Sequence, residues 1–151
     1  MEQSLRESIT GYLDSHRHGT LATVNEDGGP YATVVSYVSS GLTIYFMTDP
    51  SSQKAKNIEH CSRVAFAVTE DYLDWDEIKA VQLDGTVEWI KDESELKQAQ
   101  KMFGDKFPQV QKYLDGYGVT IDIIPFLRIN PKTINFLDYS KGFNRWESLE
   151  F

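Results

Sequence analysis

Three runs rich in β-branched and aromatic residues follow one another with very short connections near the start of the chain. They are Thr20–Val24, Tyr31–Val38 and Leu42–Met47, separated by the turn-forming segments Glu26–Pro30 and Ser39–Gly41. A crossover between parallel strands needs about a dozen residues or more, so neighbouring strands joined by such turns must run antiparallel. The sequence therefore disfavours a parallel doubly wound sheet and predicts an antiparallel one.

Four further strands are predicted in the rest of the chain. Gly85 interrupts the alternating pattern of one of them, which indicates a bulge or a bend. The segment Asn130–Lys132 contains a proline and separates two others, which predicts a hairpin turn there. Ala65 and Ala67 lie on one face of another strand, where small side chains favour close packing by a helix. The four strands are Arg63–Val68, Ala80–Ile90, Phe126–Ile129 and Thr133–Tyr139.

Four helices are predicted beside these strands. The second begins at Asp49–Pro50, an N-cap residue followed by a proline, and runs to about Glu59. The third begins at Asp92, which forms a capping box with Glu95, and a short helix follows over about 106–114. The apolar stripes that identify the first and third helices are Leu5, Ile9, Tyr12 and Leu13, and Leu96, Ala99, Met102 and Phe103.

These elements predict a mainly β fold with added helices. The 151 residues fit one domain spanning 1–151, since no linker or internal repeat divides them. Many short antiparallel strands joined by turns are typical of a barrel, here with six or seven strands of the Greek-key type.

Charge and composition exclude several classes of function. The net charge of −8 opposes binding to a phosphate backbone, so we expect no nucleic-acid partner. No apolar run is long enough to span a membrane. Cys61 is the only cysteine and the first residues lack the apolar core of a secretory signal, which predicts a reducing cytoplasm. His16, His18 and His60 lack metal-ligand spacing, so we predict no metal.

One strand-to-helix corner has the composition of an anion site. Thr48 and Ser52 supply hydroxyl donors and Lys54 supplies a positive charge, all at the start of a predicted helix. Free N–H groups and the helix dipole favour a phosphate at such a position. The alternative is a capped helix with solvated lysines, and the spacing of these residues does not separate the two interpretations.

The order of several short motifs resembles that of the pyridoxamine 5′-phosphate oxidase-like family. The motifs are Gly19-Thr20-Leu21-Ala22-Thr23-Val24, Gly29-Pro30-Tyr31, Thr48 with Ser52-x-Lys54, the strand Val81–Val87, and Leu127–Lys132. Each motif is weak alone, but together they span most of the chain. The resemblance implies a split barrel that works as a homodimer, with flavin mononucleotide, FMN, bound at the interface between the two protomers.

The resemblance also implies which residues contact the cofactor. Thr48, Ser52, Gln53 and Lys54 match the positions that bind the FMN phosphate, and Val34, Val35, Ser36, Phe46 and Met47 match those that contact the flavin ring. Gln82 matches a strand position that can reach the flavin, and Arg145 and Trp146 match a tail that covers the partner's ring. Ordinary alternatives remain open, since the same residues also suit a strand core, a solvated strand face or a docked tail.

Departures from the family pattern exclude some activities of the family for this chain. True pyridoxamine phosphate oxidases carry an arginine in the strand occupied here by Ala32 and Thr33, and another where this chain has Gln53. Their C-terminal substrate-binding arginine and histidine are also not evident, so we do not expect a true pyridoxamine phosphate oxidase. The histidine of the nitroimidazole reductase relatives is absent too, because Thr48 follows Met47 directly.

The resemblance implies an oxidoreductase in which FMN carries the chemistry, so we name no catalytic residue. The expected partners are a small-molecule substrate and a donor such as a reduced nicotinamide. The alternative is a protein of the same fold that binds or carries a flavin or haem without turnover. A deazaflavin in place of FMN also remains open.

Overall fold

Eight antiparallel strands form one curled sheet with four α-helices around it. The computed structural model describes residues 1–151. The strands are β1 (His18–Val24), β2 (Pro30–Ser36), β3 (Val38–Ser40), β4 (Thr43–Met47), β5 (Arg63–Val68), β6 (Lys79–Trp89), β7 (Phe126–Asp138) and β8 (Trp146–Glu150). The helices are α1 (Glu2–Ser15), α2 (Gln53–His60), α3 (Glu93–Lys106) and α4 (Val110–Asp115), and short 3₁₀ turns cover Trp75–Glu77, Ile121–Ile123 and Tyr139–Lys141.

The sheet closes on itself through one residue. Its strand order is β2-β1-β5-β6-β7-β4-β3, with β8 paired to β7, and every pair is antiparallel. The path thus begins in β2 and ends in β3, which are separated in sequence by Tyr37 alone. Tyr37 is fully buried and its hydroxyl donates to the carbonyl of Leu13 at 2.7 Å. The predicted antiparallel barrel with added helices is confirmed.

Helix α1 packs against the inside of the curled sheet. The four apolar residues that predicted this helix are buried in the main core together with inward residues of β1, β5, β6 and β7. Burying one such side chain contributes about 1.5–3 kcal/mol, so the core holds α1 and the barrel together. The inward strand residues include Leu21, Phe66, Leu83, Ile134 and Phe136.

The predicted hairpin at Asn130–Lys132 is wrong. Phe126–Asp138 is one continuous strand that pairs with β6 along its whole length. The register shifts between Asp84, which faces Thr133, and Gly85, which faces Pro131, so Lys132 is the extra residue of a bulge. A Cβ on Gly85 would lie 2.1 Å from the carbonyl oxygen of Asn130, which explains the glycine. The irregularity predicted at Gly85 is confirmed, and Pro131 sits at the bulge, where a missing N–H is tolerated.

Three other boundaries differ from the sequence prediction. The run Tyr31–Val38 divides at Tyr37 into β2 and β3, because the chain turns inward there. Helix α2 begins after Ser52 rather than at Asp49, and Lys106 ends α3 instead of opening the short helix. The tail forms β8 beside β7, which brings the strands to eight rather than six or seven.

Helix α3 covers the opposite side of β3 and β4 with a second, smaller core. The predicted N-cap is present, with Asp92 accepting from the N–H of Glu95 at 2.9 Å. The Glu95 carboxylate accepts from the Tyr45 hydroxyl at 2.8 Å and pairs with Arg128, which also pairs with Glu88. These contacts fix α3 to the barrel. The buried members of this core include Val38, Tyr45, Ala99, Phe103, Phe107 and Phe126.

The outer face of β1 and β5 is left uncovered by the chain. Ala65 is exposed and Ala67 is only half-buried, so the helix packing predicted for these alanines is wrong. The four helices instead lie against the barrel interior, the β3–β4 side and the edge near β1. None of the helices has both the length and the apolar content that a membrane crossing requires.

Candidate functional site

A cleft of about 420 Å³ lies between the barrel and the helices α3 and α4. Its volume is within the range of about 300–1,000 Å³ that small-molecule sites occupy. One wall, which we call the barrel wall, consists of Val34, Val35, Ser36, Met47 and Thr48. The opposite wall, which we call the helical wall, consists of Phe103, Phe107, Gln109, Val110 and Tyr113. Asp49 and Lys54 lie at the end where α2 begins.

The barrel wall is made by the end of β2 and by the end of β4, which lies next to the closure. Strand alternation turns the Val35 side chain into the core, where it is 5% exposed, while Val34 remains 70% exposed toward the cleft side. Ser36 follows Val34 on the same face, and Met47 ends the neighbouring strand β4. The wall thus presents apolar surface, the hydroxyls of Ser36 and Thr48 and the exposed backbone edge of β2.

The polar end of the cleft is formed by the start of α2. Ser52 caps the helix by accepting from the N–H of Ala55 at 3.3 Å, and its hydroxyl lies 3.0 Å from that of Thr48. The N–H groups of Gln53 and Lys54 have no partner in the protein. Lys54 is half-buried and has no carboxylate within 4.0 Å. Two hydroxyls, two free N–H groups and one unpaired cation together suit an anion.

A buried asparagine holds α2 against the barrel. Asn57 is 1% exposed, and its amide donates to the Thr23 hydroxyl and to the Asn25 side-chain oxygen, both at 3.0 Å. The Gln53 amide donates to Asn57 in turn, at 2.8 Å. Because these bonds are made on the barrel side of α2, they fix the direction in which its N-terminus points.

One negative charge stands beside Lys54 at this end. Asp49 is exposed and accepts hydrogen bonds at 2.8 Å from both the N–H and the hydroxyl of Ser51. These bonds hold the pKa of the Asp49 carboxyl below its ordinary value, with a smaller contribution from Lys54. The carboxylate therefore stays ionised, and the polar end carries one positive and one negative side chain.

The helical wall was not predicted as part of the site. Phe103 was assigned only to the core stripe of α3, and Phe107, Val110 and Tyr113 were not named. A signal was present, since these residues continue the helical spacing of three and four positions past the break between α3 and α4. In the structure Phe103 and Phe107 are buried, whereas Tyr113 is 69% exposed beside the cleft.

The structure brings six of the predicted cofactor residues to the cleft, namely Val34, Val35, Ser36, Met47, Thr48 and Lys54, with Ser52 beside them. It does not bring the other four there. Phe46 is fully buried in the main core, and the Gln53 side chain is directed away from the cleft, toward Asn57. Gln82 lies on the uncovered outer face of the sheet. Trp146 starts β8, where its indole N–H donates to Asn144 at 2.9 Å.

The cleft fits a planar ring that carries an anionic tail. The apolar walls suit the ring, and the polar corner suits the anion. The residues lining the cleft include no histidine, cysteine or acid–base pair. The arrangement can therefore hold and orient a cofactor that brings its own reactivity.

Comparison with known proteins identifies the family of this chain. A family model described as Pyridoxamine 5′-phosphate oxidase matches residues 5–137. General stress protein 26 of Bacillus subtilis is 36% identical over 59 residues, which cover 39% of this chain and 41% of that protein. The matched segment is thus less than half of that relative's length.

Solved structures share the fold. A heme binding protein from Mycobacterium smegmatis superposes with a TM-score of 0.78 and 21% identity, over 96% of this chain and 57% of that one. General Stress Protein 26 from Bacillus anthracis superposes with a TM-score of 0.72 and 21% identity, over 97% of this chain and 98% of that one.

Proposed function

The chain belongs to the pyridoxamine 5′-phosphate oxidase family, and we propose on that premise that it binds FMN in the cleft and is an oxidoreductase. The observation that carries this proposal is Lys54, a half-buried cation without a carboxylate partner, beside the two hydroxyls and two free N–H groups at the start of α2. Bound FMN would supply hydride or electron transfer, which no side chain of the cleft provides.

The proposed binding mode assigns a task to each end of the cleft. Thr48, Ser52 and Lys54, with the N–H groups of Gln53 and Lys54, would hold the phosphate. The ring would lie along the barrel wall, where Val34 and Met47 exclude water from one side. Ser36 would contact a polar edge of the ring through its hydroxyl. The protein thus orients the ring and shields it from solvent.

We do not propose pyridoxamine phosphate oxidation for this chain. The polar end holds Lys54 as its only cation, with Gln53 at one position, and Ala32 and Thr33 in the strand, where the true oxidases carry arginines. The ionised Asp49 weakens the positive potential further. The proposed substrate is a small molecule of another kind, with a reduced nicotinamide as the electron donor.

We also propose a homodimer, in a reducing cytoplasm, in which the second copy completes the cleft. Val34 and Tyr113 are 70% and 69% exposed, so the cleft is open on one side. Ala65 and Ala67 present small side chains on the outer face of β1 and β5, so another copy can approach this face closely. Sedimentation over a concentration series tests this. A monomer that holds FMN at full occupancy contradicts it.

The absorption spectrum of the purified protein separates the proposed cofactor from its alternative. A two-band flavin spectrum supports FMN. A Soret band instead supports the haem-binding alternative, which the fold shared with the mycobacterial protein leaves open. Turnover of reduced nicotinamides by the flavin-loaded protein then separates an enzyme from a carrier.

The substitution Lys54→Ala tests the position of the phosphate. We expect FMN affinity to fall roughly ten- to a hundredfold, since a hydrogen bond to a charged group contributes about 1.5–3 kcal/mol. Riboflavin lacks the phosphate, so its affinity should barely change. Fluorescence-quenching titrations give both constants.

The matched control is Lys56→Ala, which removes a lysine from the same helix outside the cleft. Equal losses of FMN and riboflavin affinity in Lys54→Ala, or equal effects of the two lysine variants, would exclude a phosphate at Lys54.

A further inference from the structure

A histidine lies beside one residue of the barrel wall. His18 begins β1 and faces Ser36 across the strand pair, so the two side chains lie on the same face of the sheet. Its Nδ1 atom lies 3.0 Å from the Ser36 hydroxyl oxygen. Ser36 lines the cleft, and His18 is exposed next to it. The hydroxyl therefore joins a solvent-accessible imidazole to the cleft.

The other histidines have no such connection. His16 is hydrogen-bonded to Glu70 at 2.6 Å and to the carbonyl of Tyr12, and His60 is exposed at the end of α2. Neither one lines or contacts the residues of the cleft wall. His18 is therefore the histidine whose hydrogen bonding can reach the cleft, through the Ser36 hydroxyl.

The charged groups around His18 have opposite signs. Arg17 precedes it, and Lys106 lies on the α3 side, with Nζ 5.9 Å from the ring of Phe107, which is itself 6.2 Å from the His18 ring. Burial lowers the pKa of Lys106, Arg17 lowers it further, and Asp14 on α1 raises it. Lys54 and Asp49, of opposite sign, face Ser36 across the cleft. The surroundings thus hold charges of both signs.

We propose that His18 is a positioning residue whose protonation sets the hydrogen-bonding polarity of the Ser36 hydroxyl in the cleft. An imidazolium has N–H donors at both ring nitrogens, so Nδ1 then donates to the Ser36 oxygen and leaves the hydroxyl hydrogen free for a ligand. A neutral imidazole with the proton on Nε2 accepts that hydrogen instead, and the Ser36 oxygen can then only accept from a ligand.

This inference rests on the proposed function, because it concerns the ring edge that lies along the barrel wall. A ring edge with carbonyl oxygens is bound better when Ser36 donates, and therefore when His18 is protonated. The ligand class is accordingly a planar ring with carbonyl acceptors on its polar edge. By linkage, such a ligand also favours the protonated form of His18 by the same factor.

Riboflavin is the probe for this linkage, because the phosphate of FMN itself ionises near pH 6 and would obscure the effect. We expect riboflavin affinity to rise roughly three- to tenfold as the pH falls from 8 to 5, the range that one ordinary hydrogen bond provides. The variant His18→Gln should show affinity that no longer depends on pH in this interval. The variant Ser36→Ala should lose the dependence too.

His60→Gln is the matched control and should keep the pH dependence of the wild-type protein. A measurement on the unmodified protein completes the test. The midpoint of the His18 imidazole titration, followed by NMR, should move to higher pH by about half a unit to one unit when riboflavin is bound.

Three outcomes would overturn the proposal. Riboflavin binding that is equally tight at pH 5 and pH 8, with an unmoved His18 midpoint, refutes the inference and leaves the flavin cleft intact. A pH dependence that persists in His18→Gln also refutes it. Absence of riboflavin binding at every pH refutes the proposed function, and the inference with it.

Discussion

The two walls of the cleft differ in how they are held. The barrel wall is the outer edge of the main core, since Val35 is 5% exposed and Phe46 behind it is fully buried. The helical wall ends in α4, which has no buried residue and leaves Tyr113 69% exposed. A change in the barrel wall therefore affects folding and binding together, whereas a change in α4 affects binding almost alone. The cleft can therefore vary through α4 at little cost in stability, whereas Phe103 and Phe107 of the same wall are buried.

The largest expected difference is in stability, between the core behind the barrel wall and the exposed helix α4. Phe46→Ala should lower the free energy of unfolding by about 3–5 kcal/mol, because it leaves a cavity in the main core. Tyr113→Ala should change it by no more than about 0.5 kcal/mol, as is usual for exposed positions. Urea unfolding of the two variants measures both. Similar losses in the two variants would contradict the comparison.

Tyr45 on β4 donates a hydrogen bond to Glu95 on α3 and so links the barrel to the helical wall. Ionisation of Tyr45 at alkaline pH should weaken this link. Burial, helped by the hydrogen bond to Glu95, raises the pKa of Tyr45 to about 12. A raised pKa means that the folded state holds this proton more tightly, so its contribution is complete below about pH 10 and is lost as the pH rises toward 12.

The variant Tyr45→Phe should lower the free energy of unfolding by about 1 kcal/mol at neutral pH. It should also reduce the further loss between pH 10 and 12. Some loss should remain, because burial raises the pKa of Tyr12 and Tyr37 as well. Unfolding free energies measured at pH 8, 10 and 11 check this. A pH dependence identical to that of the wild-type protein would show that Tyr45 does not carry it.

The sequence predicted the barrel wall well because its signals are local. Alternating residues and short turns define β2 and β4, and Thr48, Ser52 and Lys54 lie within one strand-to-helix corner. The helical wall escaped prediction because nothing within its own segment tells which strand Tyr113 will face. That depends on α3, whose position is fixed by the contacts of Glu95 with Tyr45 and Arg128, far apart in sequence.

The same limit explains the wrong hairpin. A proline between two strand-like runs usually marks a turn, and only the pairing with β6 shows that Pro131 lies at a bulge of one long strand. Phe46 shows a second limit of prediction from sequence. A resemblance gives its position on β4 but not the side of the strand on which it lies, and the structure puts it in the core. Gln82 and Trp146 lie outside the cleft of a single chain.

We expect Tyr113 in the helical wall to contribute to ring binding, although it contributes little to stability. Tyr113→Ala should weaken riboflavin binding roughly two- to tenfold, because an aromatic contact contributes about 0.5–1.5 kcal/mol. The matched control is Tyr117→Ala, which removes a tyrosine that is 83% exposed and does not line the cleft. Fluorescence titrations with riboflavin measure the affinities of both variants. Equal affinities in the two variants would remove Tyr113 from the binding surface.

The smallest expected effect is at the polar end. Asp49→Asn keeps an oxygen that can accept from Ser51 but removes the negative charge, so FMN affinity should rise roughly two- to fivefold while riboflavin affinity stays constant. High salt should diminish the gain. The matched control is Asp27→Asn, an exposed aspartate with the same type of turn contact to Gly29. A gain for riboflavin as well would indicate a change of shape rather than of charge.

The closure of the sheet at Tyr37 has a consequence for the order of events during synthesis. Strand β4, which carries Met47 of the barrel wall, pairs only with the short β3 and with β7, whose residues are made about 80 positions later. At ribosomal rates on the order of 10 residues per second, that interval lasts about 8 seconds. A nascent chain therefore carries the strand-to-helix corner at the start of α2 long before β4 can pair with β7, and the cleft can form only after β7 has emerged.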